Sequence, residues 1–275
     1  MTRIVALSSF VARGHVGLGA LLPPLEALQH DVAALPTVVF SNHAGCRQVA
    51  GFEVDPQDLY RKADALAGNG WLEGAEAVVT GYLPTPAHVA FAVSLVTRVR
   101  AKTPKALFVC DPILGDEPKG LYIPQDAAEA IRHELLPLAD LCLPNVFELG
   151  WLSGQTTETF QDIVDAARGL PCPRTVVTSV PRGAQRLGTV LVEADQVLGT
   201  LIQTRENVPH GTGDVLAGLI TAYMAAGAPV ATALARGGAI LKTVILASAG
   251  RDDLFVQAGL EHLSAVVPLP LEAMS

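Results

Sequence analysis

With 275 residues, half of them apolar, the chain is long enough to bury a deep core, and a single α/β domain over residues 1–275 is the expectation. A net charge of −8 denies it the basic face that a nucleic-acid backbone requires, so no nucleic-acid partner is expected. Its four cysteines, Cys46, Cys110, Cys142 and Cys172, form no C-x-x-C pair, which argues against a thiolate metal cluster and for reduced thiols in a cytoplasmic protein.

The opening apolar stretch is too short for a signal-peptide core and is followed by Arg13 and His15, so no export is expected. Short β-branched runs at 4–8, 32–39, 77–80, 106–111, 141–143 and 175–178 read as strands. Segments of helical period at 24–29, 56–66, 86–100, 124–136 and 160–168 fall between them, several opening at a proline. That alternation predicts a mostly parallel central sheet with helices on both faces. Residues 190–193 and 197–202, flanking Ala194-Asp195-Gln196, predict an antiparallel hairpin at the sheet's edge. The last third reads as helical. Its uncharged run over 215–235 is interrupted by Gly227 and Pro229, so it predicts two buried helices meeting at a turn and no membrane span.

In open α/β sheets ligands sit at the carboxyl ends of the strands. The candidate functional residues should therefore follow apolar runs, and Ser9, Gly81-Tyr82, Asp111-Pro112, Asn145 and the Gly211 loop all do. The sharpest local pattern is Pro209-His210-Gly211-Thr212-Gly213-Asp214, followed by Val215, Leu216, Leu219, Ile220 and Tyr223 at helical spacing. A glycine turn entering a helix aims several amides and the positive end of the helix dipole at one point, which suits a phosphate. Asp214 at the mouth of such a turn fits two roles, a helix cap or a general base for an acceptor hydroxyl. No Walker A motif exists, since the glycines at 115 and 120 precede Leu121 rather than Lys-Ser/Thr. Gly14, Gly17 and Gly19 give G-x-x-G-x-G, the wrong order of gaps for a dinucleotide fingerprint.

Gly211-Thr212-Gly213-Asp214 resembles the GTGD motif of the ribokinase superfamily. The likeness extends over most of the chain, and it is greatest with the pyridoxal kinases. It is carried by Ser8-Ser9 with Gly14-His15-Val16-Gly17, Phe40-Ser41-Asn42-His43, Gly81-Tyr82-Leu83, Asp111-Pro112-Ile113-Leu114-Gly115-Asp116, Gly120-Leu121-Tyr122, Pro144-Asn145-Val146-Phe147-Glu148 and Val177-Thr178-Ser179. The resemblance implies a three-layer ribokinase-like fold and an ATP- and Mg²⁺-dependent kinase that phosphorylates the hydroxymethyl group of a B6 vitamer. It implies that Gly211, Thr212 and Gly213 cradle the migrating phosphate and that Asp214 removes the acceptor's proton. By the same likeness Asp111, Asn145, Glu148, Thr178, Ser179 and Thr212 lie on the nucleotide side, with Asp111 and Glu148 organising Mg²⁺. Ser9, His43, Ala44, Gly45, Tyr82 and Asp214 lie on the acceptor side. A homodimer is also implied.

The chain departs from the pyridoxal kinase pattern on the acceptor side alone. Ala44-Gly45-Cys46 stands where a threonine usually follows the histidine, Arg13 replaces an aromatic, Leu18 an asparagine and Phe10 a polar residue. His210 before the glycines resembles the hydroxymethylpyrimidine kinases, whose motif usually ends in cysteine. A hydroxymethylpyrimidine kinase and a non-catalytic vitamer- or nucleotide-binding homologue therefore stand as alternatives.

Overall fold

The computed structural model describes residues 2–274 apart from Ala184 and His262. The chain opens with β1 (Arg3–Val11) and α1 (Leu18–Ala27), returns through β2 (Asp31–Phe40), and turns into the short strand β3 (Gly51–Glu53). Helix α2 (Pro56–Gly68) leads to β4 (Ala75–Thr80), and α3 (Pro86–Lys102) leads to β5 (Leu107–Cys110). A two-stranded hairpin, β6 (Gly115–Asp116) and β7 (Gly120–Leu121), precedes α4 (Gln125–Ala130), which runs on through a π turn over Ile131–Leu135. Then follow β8 (Leu141–Cys142), α5 (Val146–Ser153), α6 (Phe160–Arg168), β9 (Thr175–Pro181), β10 (Arg186–Val192) and β11 (Val197–Gln203). The chain closes with α7 (Thr212–Ala225), α8 (Val230–Ser248), α9 (Gln257–Leu260) and β12 (Glu272–Ala273).

The main sheet has ten strands in the order β12-β11-β10-β9-β8-β5-β4-β1-β2-β3. Strands β2, β1, β4, β5, β8 and β9 run parallel, while β3 at one edge and β10 to β12 at the other are antiparallel. Strand side chains alternate between two cores, as the pleat demands. Val5, Leu7, Val78, Phe108, Cys110 and Val177 face one, with Leu59, Phe91, Leu95, Ile131, Leu149 and Ile163 of the helices over it. Ile4, Ala6, Ala77, Val79, Val109 and Val176 face the other, under Leu21, Leu25, Leu219, Ile240 and Val244. Because both faces are covered, the parallel strands read as continuous apolar runs rather than as alternation.

The expected helices form, with caps that explain where they start. Asp55 accepts from the Gln57 N–H at 2.9 Å ahead of Pro56, and Thr85 caps α3 ahead of Pro86. Helix α1 starts at Leu18 rather than at residue 24, leaving Pro23 and Pro24 inside it. The Gly17 carbonyl accepts the first bonds, from Ala20 and Leu21, and burial of Leu18, Leu21, Pro24 and Leu25 outweighs the backbone bonds that two prolines cannot make. Strands β3, β6, β7 and β12 were not legible, because pairings of two or three residues carry no period. Gly227, at φ 88°, makes the expected turn between α7 and α8. By length and apolar composition α8 could cross a membrane, but it lies against α7 with Leu234, Ile240 and Val244 in the second core.

Candidate active site

The loops after β1, β4, β5, β8 and β9 gather along the carboxyl edge of the parallel strands, and the turn entering α7 joins them. Gly211 caps α7 at φ 105° and supplies no capping side chain, so the side chain bonded within the first turn is that of Asp214, to its own amide. A Cβ on Gly211 would collide with the carbonyl oxygen of His15, which brings the turn backbone to backbone against the loop after β1. Only glycine permits both the left-handed φ and that approach.

Asp214, in the first turn of α7, is half-buried. Withdrawal from water pushes its carboxyl up to about 6, and hydrogen bonds from the Gly17 amide and its own amide only partly oppose that. Gly17 sits at φ 55°, where a Cβ would run into the Oγ and carbonyl of Ser9. Gly17 is thereby wedged between the two, so Ser9 and Asp214 converge from the two sides of one peptide. His15, in the same loop, is held by Asp253, whose Oδ1 accepts the His15 amide at 2.9 Å while Oδ2 pairs with Nδ1 at 2.8 Å. Burial works against the Asp253 carboxylate, but the His15 amide and ring outweigh it and hold the carboxyl below its usual range.

Asp111 and Glu148 lie buried behind this point. Glu148 is the third residue of α5 and closes a reciprocal cap: the Asn145 Oδ1 accepts its amide at 2.9 Å, and Oε2 accepts the Asn145 amide at 2.8 Å. Its Oε1 accepts Leu114 N–H at 2.8 Å, and Asn145 Nδ2 donates to the Gly115 carbonyl at 2.9 Å. Burial lifts Glu148 to about 7 despite these amides. Burial, then the neighbouring Glu148 and Asp214, push the Asp111 carboxyl well above the carboxylate range, although the Ile113 amide donates to it. Three acids share one low-dielectric corner. Glu148 is thus no surface helix residue, and the burial that the cap demands explains why it is acidic and enclosed. Among the described residues, no group of three or more His, Cys, Asp or Glu side chains is arranged to hold a metal ion.

Thr178 bridges to Asn145, and its amide donates to the Pro144 carbonyl at 2.9 Å, which puts the ends of β8 and β9 side by side. Ser179 follows, exposed and at φ 58°. Thr212 and Gly213 stand at the open start of α7. On the other flank, the Tyr82 amide donates to Ser8 Oγ at 3.1 Å and its carbonyl accepts from Thr37 Oγ1 at 2.8 Å, fixing a half-buried ring. His43, Ala44 and Gly45 belong to the flap over residues 41–50; Ala44 and Gly45 are exposed, and His43 lies ring on ring with His210.

The residues singled out from the sequence lie in these loops or in the elements that adjoin them: Ser9 within β1, Thr178 and Ser179 within β9, Glu148 in α5 and Thr212 to Asp214 in α7. Sequence reasoning missed Asp253, which pairs with a residue 238 positions away and has no local signal. It also gave no role to Asp116 and Tyr122, whose side chains hydrogen-bond across the β6–β7 hairpin, or to Lys119, 5.8 Å from the Tyr122 ring centre. Those residues stand inside or beside the quoted motifs, which is the signal that could have found them. A groove of about 410 Å³ lined by Pro181, Arg182, Arg186 and Leu201 opens at the antiparallel edge and contains none of the site residues.

A doubly covered, mostly parallel sheet with a glycine turn and an acid at its carboxyl edge is the ribokinase-like fold. The family model described as phosphomethylpyrimidine kinase matches residues 25–254, and the chain belongs to that family, within which its relatives are pyridoxal kinases. It is 33% identical over 238 residues to the pyridoxal kinase PdxY of Leifsonia xyli, covering 84% of each chain. It is 30% identical over 242 residues to the pyridoxal kinase of Bos taurus, covering 80% of this chain and 77% of that one. The pyridoxal kinase of Leishmania donovani in complex with ADP and pyridoxamine superposes over the whole of both chains, with a TM-score of 0.92 at 26% identity.

Proposed function

We propose that this chain transfers the γ-phosphoryl group of ATP to the 5'-hydroxymethyl group of pyridoxal or a related B6 vitamer, as one kinase domain over residues 1–275. The observation that carries the reading is Asp214, a carboxyl of raised proton affinity beside the uncapped start of α7. Support comes from relatives named pyridoxal kinases and from a similar structure that holds ADP and pyridoxamine.

Phosphoryl transfer through a loose transition state asks mainly for positioning and charge stabilisation. The Gly211, Thr212 and Gly213 amides receive the migrating phosphoryl group, aided by the helix dipole. Asp214 accepts the proton of the acceptor hydroxyl as the new O–P bond forms and the bond between the β and γ phosphates breaks, releasing ADP. Ser9, Tyr82, His43 and the Ala44-Gly45 backbone bound the acceptor. Asp111, Asn145, Glu148, Thr178 and Ser179 bound the nucleotide.

Burial raises the proton affinity of Asp111, Glu148 and Asp214, and a divalent cation beside Asp111 and Glu148 would offset the cost of their ionised forms. Asp111 and Glu148 would face Mg²⁺, largely through water because the Glu148 oxygens already accept amides, and the ion would neutralise charge on the phosphates. The ion would draw its remaining ligands from ATP and water.

The enzyme is read as cytoplasmic, with all four cysteines free. It is also read as a homodimer. Phe10 and Phe52 flank Val39 in register at the β3 edge and are 40% and 62% exposed, an apolar face suited to a second copy. Light scattering of the purified protein tests the dimer. The activity test is Mg-ATP with pyridoxal, pyridoxine, pyridoxamine and hydroxymethylpyrimidine in turn. Phosphorylated vitamer is the expected product, hydroxymethylpyrimidine phosphate alone would reassign the acceptor, and binding without any product would leave a non-catalytic homologue.

A further inference from the structure

The flap over residues 41–50 is tied mainly to itself. Ser41 N–H donates to the Ala50 carbonyl at 2.7 Å and Asn42 Nδ2 to the Gln48 carbonyl at 3.0 Å. At its tip, the amide of Gly45 donates to His43 Nδ1 at 3.1 Å and that of Cys46 to the His43 carbonyl at 3.0 Å. Its base is anchored where the Arg13 amide meets the Ser41 carbonyl at 3.0 Å. The tip reaches out of the flap through a ring: the imidazoles of His43 and His210 stack with centroids 4.4 Å apart and planes 14° from parallel. His210 directly precedes Gly211. The stack therefore fastens the acceptor flap to the phosphate turn.

We propose that the His43–His210 stack is the latch that closes the flap over the acceptor pocket, with His210 a positioning residue for a flat heteroaromatic alcohol. The inference rests on the kinase reading for its substrate, but the latch itself does not. The amide at Nδ1 fixes the lone pair there, so the neutral His43 ring carries its proton on Nε2. Burial, then the charges of His210 and Lys119, lower the proton affinity of the His43 ring, and the charge of Asp116 opposes them. Two loops thus meet at one pair of rings, the flap and the phosphate turn. A pair of near-parallel rings adds modest energy beyond burial, so its loss should cost about two- to tenfold in closing the flap.

The test measures both Michaelis constants and the hydrogen exchange of the amides of residues 41–50. His210→Ala should raise the KM for pyridoxal about two- to tenfold while leaving that for ATP in place, and should speed exchange in the flap. His210→Phe, which can still stack, should recover most of both effects. His43→Ala should speed exchange in the flap as much as His210→Ala does, and the double variant should exchange no faster than either single one, because each removes the same contact. The latch is overturned if His210→Ala changes neither exchange nor the acceptor KM, if Phe fails to rescue, or if the two alanine variants add. Should the wild type phosphorylate no acceptor, the kinase reading fails by itself, and the exchange rates of the same variants still decide the latch.

Discussion

At the residue scale, Asp214 carries opposed demands. A carboxyl raised to about 6 is a base near working pH, and the same shift means that the ionised form destabilises the fold. A raised folded-state value contributes stability below the unfolded value, and that contribution is lost as pH rises through about 6. Asp214→Asn should therefore lower turnover by about 10² to 10⁴ while ATP still binds. In a thermal melt at pH 7.5 it should gain on the order of 1–2 kcal/mol, since the half-buried charge is gone. Near-normal turnover would remove the base role, and a lower melting temperature would remove the strain. In the wild type, kcat/KM should fall as pH drops below about 6, and a profile flat down to pH 5 would contradict that.

At the scale of the element, α7 and α5 use their N-termini in opposite ways. Helix α5 satisfies its start with Asn145 and Glu148, whereas α7 starts on a glycine that brings no capping side chain and, in the proposed reaction, turns its first amides to the phosphate. Glu148→Ala would strip acceptors from the amides of Leu114 and Asn145 inside the protein, and a urea midpoint should report a loss of about 2–4 kcal/mol. Little change would mean that water or Asp111 replaces it. Gly211→Ala forces a Cβ against the His15 carbonyl at a φ that only glycine tolerates well. It should cost about 1–3 kcal/mol and, by displacing the amides, most of the turnover. A stable and active alanine variant would show that the turn is not held as described.

At the scale of the whole molecule, Asp111, Glu148 and Asp214 make the ligand-free protein a site of excess negative charge. All three are raised, so their joint contribution to stability is largest in mild acid, and the share of Asp214 and Glu148 declines as pH rises through about 6 and about 7. The melting temperature without ligand should therefore rise from pH 8 to pH 6. Mg-ATP should stabilise most at pH 8, because it supplies the missing counter-charge. A stabilisation by Mg-ATP that is equal at both pH values would count against the acids sharing one cation site.

The sequence alone determined the layering, because apolar runs of strand length separated by helical periods can bury both faces of a sheet in few other ways. It also determined that the phosphate turn must be glycine, since Gly211-Thr212-Gly213 leads into a long apolar helix. Helix starts were readable at Pro56 and Pro86, because the signal of a proline at a helix start is local. What only the tertiary structure decided is who meets whom across the chain. Asp253 gripping His15, the Asp111, Glu148 and Asp214 cluster, and His43 lying on His210 all join residues far apart in sequence. A sequence records period and local geometry, but the distances that bury acids side by side and lay one ring on another are set only when the strands align their carboxyl ends along one edge.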